Sequence, residues 1–202
     1  YNPLVILSFA VDYVTGGDSP ARYHMMNVYL HIINSVLVLA VFRKLGVGAR
    51  VASVVALFFA IHPLHVESVA WIASRKDVLF TFFLLLSWWS YLGYLPKEGE
   101  KPAFRNFLLY SISLVMFACS GLSKIQAVTL PLVLLLTDHL KRRDITWRIL
   151  PDKLPYFAGA LAFGWYAVSS SSLKADQYAD PVSFMDRIIY SFQAFSVYVY
   201  KC

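Results

Sequence analysis

Histidine, glutamate, arginine, lysine and aspartate all fall within one 18-residue stretch, HPLHVESVAWIASRKDVL (62–79), of a chain that is 58% hydrophobic. Two kinds of chemistry are open to these side chains. His65 and Glu67 are groups that exchange a proton with a reacting hydroxyl, and they are the candidate catalytic residues. Arg75 and Lys76 are cations suited to a phosphate, Arg as a planar fork and Lys as a point charge. A second polar island, Ser123, Lys124 and Gln126, sets another cation between apolar runs. Asp77 and Glu67 are acids that stand beside these cations in the sequence. Their expected work is to orient the site, together with His62 and Gln126. A divalent metal is the alternative use of His62, His65 and Glu67. On a straight helix His65 lies about 300° round from His62, and Glu67 about 200° further, so the three diverge unless Pro63 bends the chain. The expectation is therefore no metal and no cofactor.

The elements that position these residues are read as membrane helices. Residues 1–13 are too short to cross and precede the turn signal Gly16-Gly17-Asp18-Ser19-Pro20, which fits an interfacial amphipathic helix in a segment 1–20. Residues 24–42 form a first span of about 28 Å. In it His24, Asn27, His31 and Asn34 recur at helical spacing, as a packing seam of interhelical hydrogen bonds or a functional lining. The apolar run 51–61 reaches only ~16 Å, about half of a hydrocarbon core. It either continues past His62, carrying polar groups into the membrane, or breaks at His62-Pro63 and folds at the interface. Later spans are expected over 78–94, 107–122, from 128, over 154–168 and from 188, with charged loops at 96–105 and 138–148 and a polar loop to Arg187. The fold class is all-α: a polytopic helical membrane protein of six to seven spans, forming a single transmembrane domain over 1–202, with 62–77 as an external juxtamembrane motif.

Composition agrees. Charged residues are 15% of the chain, where a soluble domain carries about a quarter, and aromatic residues are 16%. The net charge of +6 sits in short clusters between apolar runs, with no basic stripe for nucleic acid. Cys119 and Cys202 form no disulfide framework. The larger group of Lys and Arg, comprising Arg43, Lys44, Arg50, Lys97, Lys101, Arg105, Lys141, Arg142, Arg143, Arg148 and Lys153, occupies one set of alternate loops. The positive-inside rule makes that set cytoplasmic. The 62–79 stretch and Lys124 then share the opposite face, where Arg75, Lys76 and Lys124 either snorkel toward lipid phosphates or bind a lipid-borne phosphate.

The stretch HPLHVESVAWIASRKDVL resembles a signature of the transmembrane-and-tetratricopeptide-repeat O-mannosyltransferases and their bacterial tetratricopeptide-bearing relatives. YNPLVILSFAVDY is similar to that family's Tyr-x-Pro-Leu segment, and GLSKIQAVTLPLVLLLTD resembles a later motif. Ile125 departs from it, since relatives commonly carry Pro or Glu there. The resemblance implies a GT-C glycosyltransferase fold. It makes Lys124 the cation that meets the donor phosphate, with Arg75 or Lys76 assisting, and sets Asp77 where related chains carry an Asp. It also places a catalytic carboxylate before Tyr1 and tetratricopeptide repeats beyond Cys202.

The implied function is transfer of mannose or a similar hexose from a polyprenyl-phosphate carrier, dolichyl or undecaprenyl, to a protein or other acceptor. The site would face the periplasm or lumen, in a bacterial inner membrane or the endoplasmic reticulum membrane. A lipid flippase or transporter, or a membrane anchor for a repeat domain, are the alternatives. The loop count predicts that His62, Arg75, Lys124 and the loop 174–186 are external and that Arg43, Lys97 and Arg142 are cytoplasmic. Single cysteines at these positions, probed in sealed cells with a membrane-impermeant thiol reagent, should react only in the first set. Labelling at position 142 would overturn the topology.

Overall fold

A computed structural model describes residues 2–95, 104–141, 150–178 and 184–201. Among them there is no strand. Lys97, Lys101, Arg142, Arg143, Arg148 and residues 179–183 lie outside the described residues. The chain divides into two compact units, Tyr1–Gly164 and Trp165–Cys202.

Helix α1 (Pro3–Gly16) starts on a proline, whose missing N–H costs nothing in a first turn, and ends at Gly17 with φ 64°, a conformation that favours glycine. Helix α2 (Pro20–Leu45) is 26 residues, about 39 Å, and stops at Gly46 after Arg43 and Lys44 in its last turn, where the helix dipole favours cations. Its buried residues are Asn27, Leu30, Asn34, Val38 and Val41, a spacing of three and four that makes one continuous face.

Helix α3 (Ala49–Ile61) ends because His62 precedes Pro63 and is held extended at ψ 129°. The chain breaks at His62-Pro63 rather than running on as one straight helix. A 3₁₀ turn (Pro63–His65) and a single-turn helix α4 (Val66–Ala70) follow, bent by 48° from α3. Extended Trp71 and a second turn (Ile72–Ser74) lead into α5 (Arg75–Tyr94). Helix α6 (Phe104–Ser123) gives way at extended Lys124 to a 3₁₀ turn (Ile125–Thr129) and α7 (Leu130–Leu140); α8 (Leu150–Tyr178) and α9 (Phe184–Lys201) complete the order. Helix α8 thus runs through 169–178, where a polar loop was expected.

Among the described residues two helices, α2 and α6, are long and apolar enough to cross a membrane, and α3 with its bent continuation makes a third if the pair is one span. The expected six to seven spans exceed that number for local reasons. Helix α3 has 13 residues, α7 has 11, and α5 opens on Arg75, Lys76 and Asp77 and closes on a Trp-, Tyr- and Ser-rich turn.

Helix α5 is the centre of the first unit, packing most extensively on α6 and α2. Ser87 and Ser113 each donate to the other's backbone carbonyl at 2.7 Å, and Ser120 donates to Phe80 O at 3.1 Å, so small hydroxyls draw α5 and α6 together. Tyr91, Phe117, Ala127, Leu130, Leu134 and Tyr156 form the core beside this seam.

At the far end of α5 sits a buried polar group that the loop assignments did not anticipate. Asp138 was read as opening a basic loop and Lys153 as a loop cation, yet both are 0% exposed, 2.6 Å apart. Tyr91 donates to Asp138 Oδ1 at 2.9 Å, and Lys153 donates to the Tyr91 hydroxyl. Burial of one such charge is costly without the other, so the pair closes α7 and α8 onto α5. Lys153→Met alone is expected to destabilise the protein by about 3 to 5 kcal/mol, and adding Asp138→Asn should recover much of it. Thermal unfolding in detergent checks both; a Lys153→Met protein as stable as the parent would deny the pair its role.

Candidate functional site

The break between α3 and α5 is held in shape by the polar stripe of α2. Asn27 Nδ2 donates to Trp71 O at 3.2 Å, Asn34 Nδ2 to Val78 O at 2.9 Å, and His31 Nε2 to Ala60 O at 3.0 Å. The Ala60 and Trp71 carbonyls lie at interruptions of regular helix, where backbone acceptors lose their own partners, while Val78 lies in the first turn of α5. The stripe is thus a seam of interhelical hydrogen bonds. His62 contributes from the other side, its Nδ1 accepting from Leu64 N–H at 3.2 Å and so capping the first 3₁₀ turn.

Arg75 is where the structure departs most from the sequence reading. Expected beside a phosphate, its side chain is 0% exposed. It forms an ion pair with the equally buried Asp12 of α1. Its Nε donates to Asn27 Oδ1 at 3.0 Å and its Nη2 to Tyr23 O at 2.8 Å, and the guanidinium carbon lies 4.4 Å from the centre of the Phe9 ring. These contacts join α1, α2 and α5 and give Arg75 a positioning role. Asp12 as its partner went unrecognised; the available signal was a lone acid in a greasy segment, which needs an opposite charge when it is buried.

Lys124 and Asp77 meet in a third ion pair, between the break after α6 and the first turn of α5. Unlike the other two pairs it is partly exposed, with side-chain exposures of 26% and 24%. Asp77 also walls a cavity of about 200 Å³ shared with His31, Asn34, Phe59, His65, Ser68 and Thr81. His31 and His65 face a second, more open cavity of about 410 Å³ as well, whose other walls include Val28, Ile61, Val66 and Val69. The two imidazoles, 5.5 Å between ring centres, therefore stand between the cavity that Asp77, Ser68 and Thr81 line and the larger one that His24 and His62 also line, with Phe59 stacked against His31.

Of the residues singled out from sequence, His65, Asp77 and Lys124 come together here. Lys76 is half-buried in the same turn of α5 as Asp77. Glu67 is exposed on α4 and Gln126 is exposed in the 3₁₀ turn after Lys124; neither is among the residues lining the two cavities. His62 lines the larger cavity and reaches His65 at 6.1 Å between ring centres. No three His, Cys, Asp or Glu among the described residues are arranged to hold a metal ion. His31 was legible only as part of a stripe, since nothing in the spacing shows that the break of α3 folds back against it.

Asp12→Ala leaves a buried guanidinium without its anion and should loosen α1 from α2 and α5. Limited proteolysis should then cut at the Gly17-Asp18-Ser19 turn at least tenfold faster, in step with a loss of about 3 to 5 kcal/mol of stability. An unchanged cleavage rate would show that α1 docks by its apolar contacts alone.

Comparison with known proteins follows this geometry. The human protein O-mannosyl-transferase TMTC4 is 32% identical over 143 residues, covering 64% of this chain and 19% of that protein. The mouse protein O-mannosyl-transferase TMTC3 is 36% identical over 132 residues, 64% of this chain and 14% of its own length. The Xenopus laevis protein O-mannosyl-transferase tmtc2 is 32% identical over 172 residues, 82% of this chain and 20% of that protein. The chain thus spans a fifth or less of these curated relatives. No family model and no solved structure matches it.

Proposed function

The chain belongs to the family of the TMTC proteins, and from that premise we propose that it is part of a membrane glycosyltransferase that moves mannose or a similar hexose from a polyprenyl-phosphate carrier to a protein acceptor. The observation that supports this reading is a partly exposed cation, Lys124, paired with Asp77 in the wall of a cavity that shares His31 and His65 with a larger one walled by Val28, Ile61, Val66 and Val69. A lipid-linked sugar carries an anionic phosphate between a hydroxyl-rich head and a prenyl tail, and in this reading the phosphate lies near Lys124. The relatives' names speak for transfer, and nothing in the chain favours a flippase or a mere anchor over it.

Transfer breaks the bond between the sugar's anomeric carbon and the phosphate oxygen and forms one from that carbon to the acceptor hydroxyl. The hydroxyl proton passes to a base, and the polyprenyl phosphate departs carrying the negative charge. A cation at the departing oxygen stabilises charge as it develops, which is the work assigned to Lys124, with Lys76 in support. Arg75 acts at one remove, fixing the start of α5 from which Asp77 and Lys76 project. The base is a carboxylate that the family resemblance sets outside these residues; His65 and Glu67 are the candidates within them. The site faces the lumen or periplasm, in a GT-C-like helical membrane domain of six to seven spans with an interfacial helix at α1.

Lys124→Ala should weaken binding of a polyprenyl-phosphate sugar by about 1.5 to 3 kcal/mol, tenfold or more, as expected for a charge-assisted contact in a partly dry site. Lys141→Ala, at an exposed lysine that bonds only the Lys44 carbonyl among its described contacts, should change it little. Titration of the protein in zwitterionic nanodiscs measures both. Equal affinities for the two variants would remove Lys124 from the donor site.

A further inference from the structure

The chain's described ion pairs fall into two kinds. Arg75–Asp12 and Lys153–Asp138 are sealed, at 0% exposure on both partners, and each ties one helix to another. Lys124–Asp77 is about a quarter exposed on either side, and its acid belongs to the wall of the 200 Å³ cavity. A pair wetted in this way gains little net energy from its contact and is exchangeable, whereas the sealed pairs are not. Any anion brought to Lys124 also meets the carboxylate of Asp77, and two negative charges on one ammonium repel each other. We infer that Asp77 is a displaceable counter-ion: it holds Lys124 in the empty site, competes with the incoming phosphate for that cation, and must release it before a phosphate-linked ligand can bind. The inference rests on the reading of Lys124 as the phosphate contact.

The surroundings make the exchange feasible. Asp77 lies in the first turn of α5, where the helix dipole stabilises a carboxylate after it lets go of Lys124. Its backbone stays in place, because Thr81 Oγ1 donates to Asp77 O at 2.8 Å and Asn34 secures the next carbonyl, that of Val78. Only the side chain has to turn. The consequence is selection by charge. A ligand without an anion, such as a free sugar or a neutral polyprenol, has nothing with which to replace the carboxylate, so the ion pair stays closed to it.

The test compares the parent protein with Asp77→Asn in phosphatidylcholine nanodiscs, using a short-chain polyprenyl phosphate, the polyprenol of the same length and inorganic phosphate. Removing a competing counter-ion should tighten polyprenyl phosphate about two- to fivefold, the range of a partly exposed ion pair, and leave the polyprenol unchanged. In the Lys124→Ala background the same substitution should have no effect on phosphate. An equal gain for inorganic phosphate would support the exchange while removing the prenyl carrier from it. Weaker or unaltered binding of polyprenyl phosphate by a folded Asp77→Asn protein would overturn the proposal. If Asp77→Asn does not fold, Asp77→Ser decides; failure of both to fold would show the pair to be structural and would overturn it too. Loss of the donor-site reading is told apart by Lys124→Ala alone, which would then leave phosphate affinity untouched.

Discussion

Everything around the break between α3 and α5 depends on one buried guanidinium. Arg75 carries a full charge at a place where water does not reach it, and the chain meets that demand with Asp12 from α1, Asn27 from α2 and the carbonyls of Ser8 and Tyr23. Because an isolated buried charge is so unfavourable, these groups have little freedom to drift. The start of α5 is thereby fixed against α1 and α2. Asp77, two residues further on, inherits that fixed position, as does the wall of the cavity it helps to form.

Polar contacts elsewhere follow the same logic with smaller stakes. Irregular backbone between helices leaves carbonyls without intrahelical donors, and at membrane depth no water makes up the loss. The α2 side chains Asn27 and His31 supply donors to Val69, Trp71 and Ala60, and Asn34 adds a bond to Val78 in the first turn of α5. A polar stripe in an apolar helix thus works as a template on which a non-helical connection is laid. The same helix buries Leu30, Val38 and Val41 along that face, so the hydrogen bonds and the apolar packing share one seam.

Sequence patterns carried much of this, and their failures have physical causes. The 11-residue run before His62 was too short to span alone, which left a helix continued past His62 or a break at His62-Pro63; the fold takes the break. The Asn and His recurrence in 24–42 announced a seam, because period alone tells which residues share a face. Period says nothing about which partner meets that face. For that reason Arg75 looked like a free cation, Asp12 like an unrelated acid, and Asp138 and Lys153 like solvent-facing loop charges. All four are members of ion pairs between different helices, 63 positions apart for Asp12 and Arg75 and 15 for Asp138 and Lys153, and such pairs leave no local trace. Lys124 and Asp77 drew notice as charged residues at the ends of apolar runs, but their direct contact across 47 positions was equally invisible.

The shortness of α3 has an effect on the surrounding lipid. Thirteen residues of helix give about 20 Å, while a bilayer's hydrocarbon layer is about 30 Å thick. Its outward side chains, among them Val51, Val54, Leu57, Phe58 and Ile61, are exposed and apolar. Where this helix meets lipid, the acyl chains must shorten to match it, and such hydrophobic mismatch costs a fraction of a kcal/mol for each ångström.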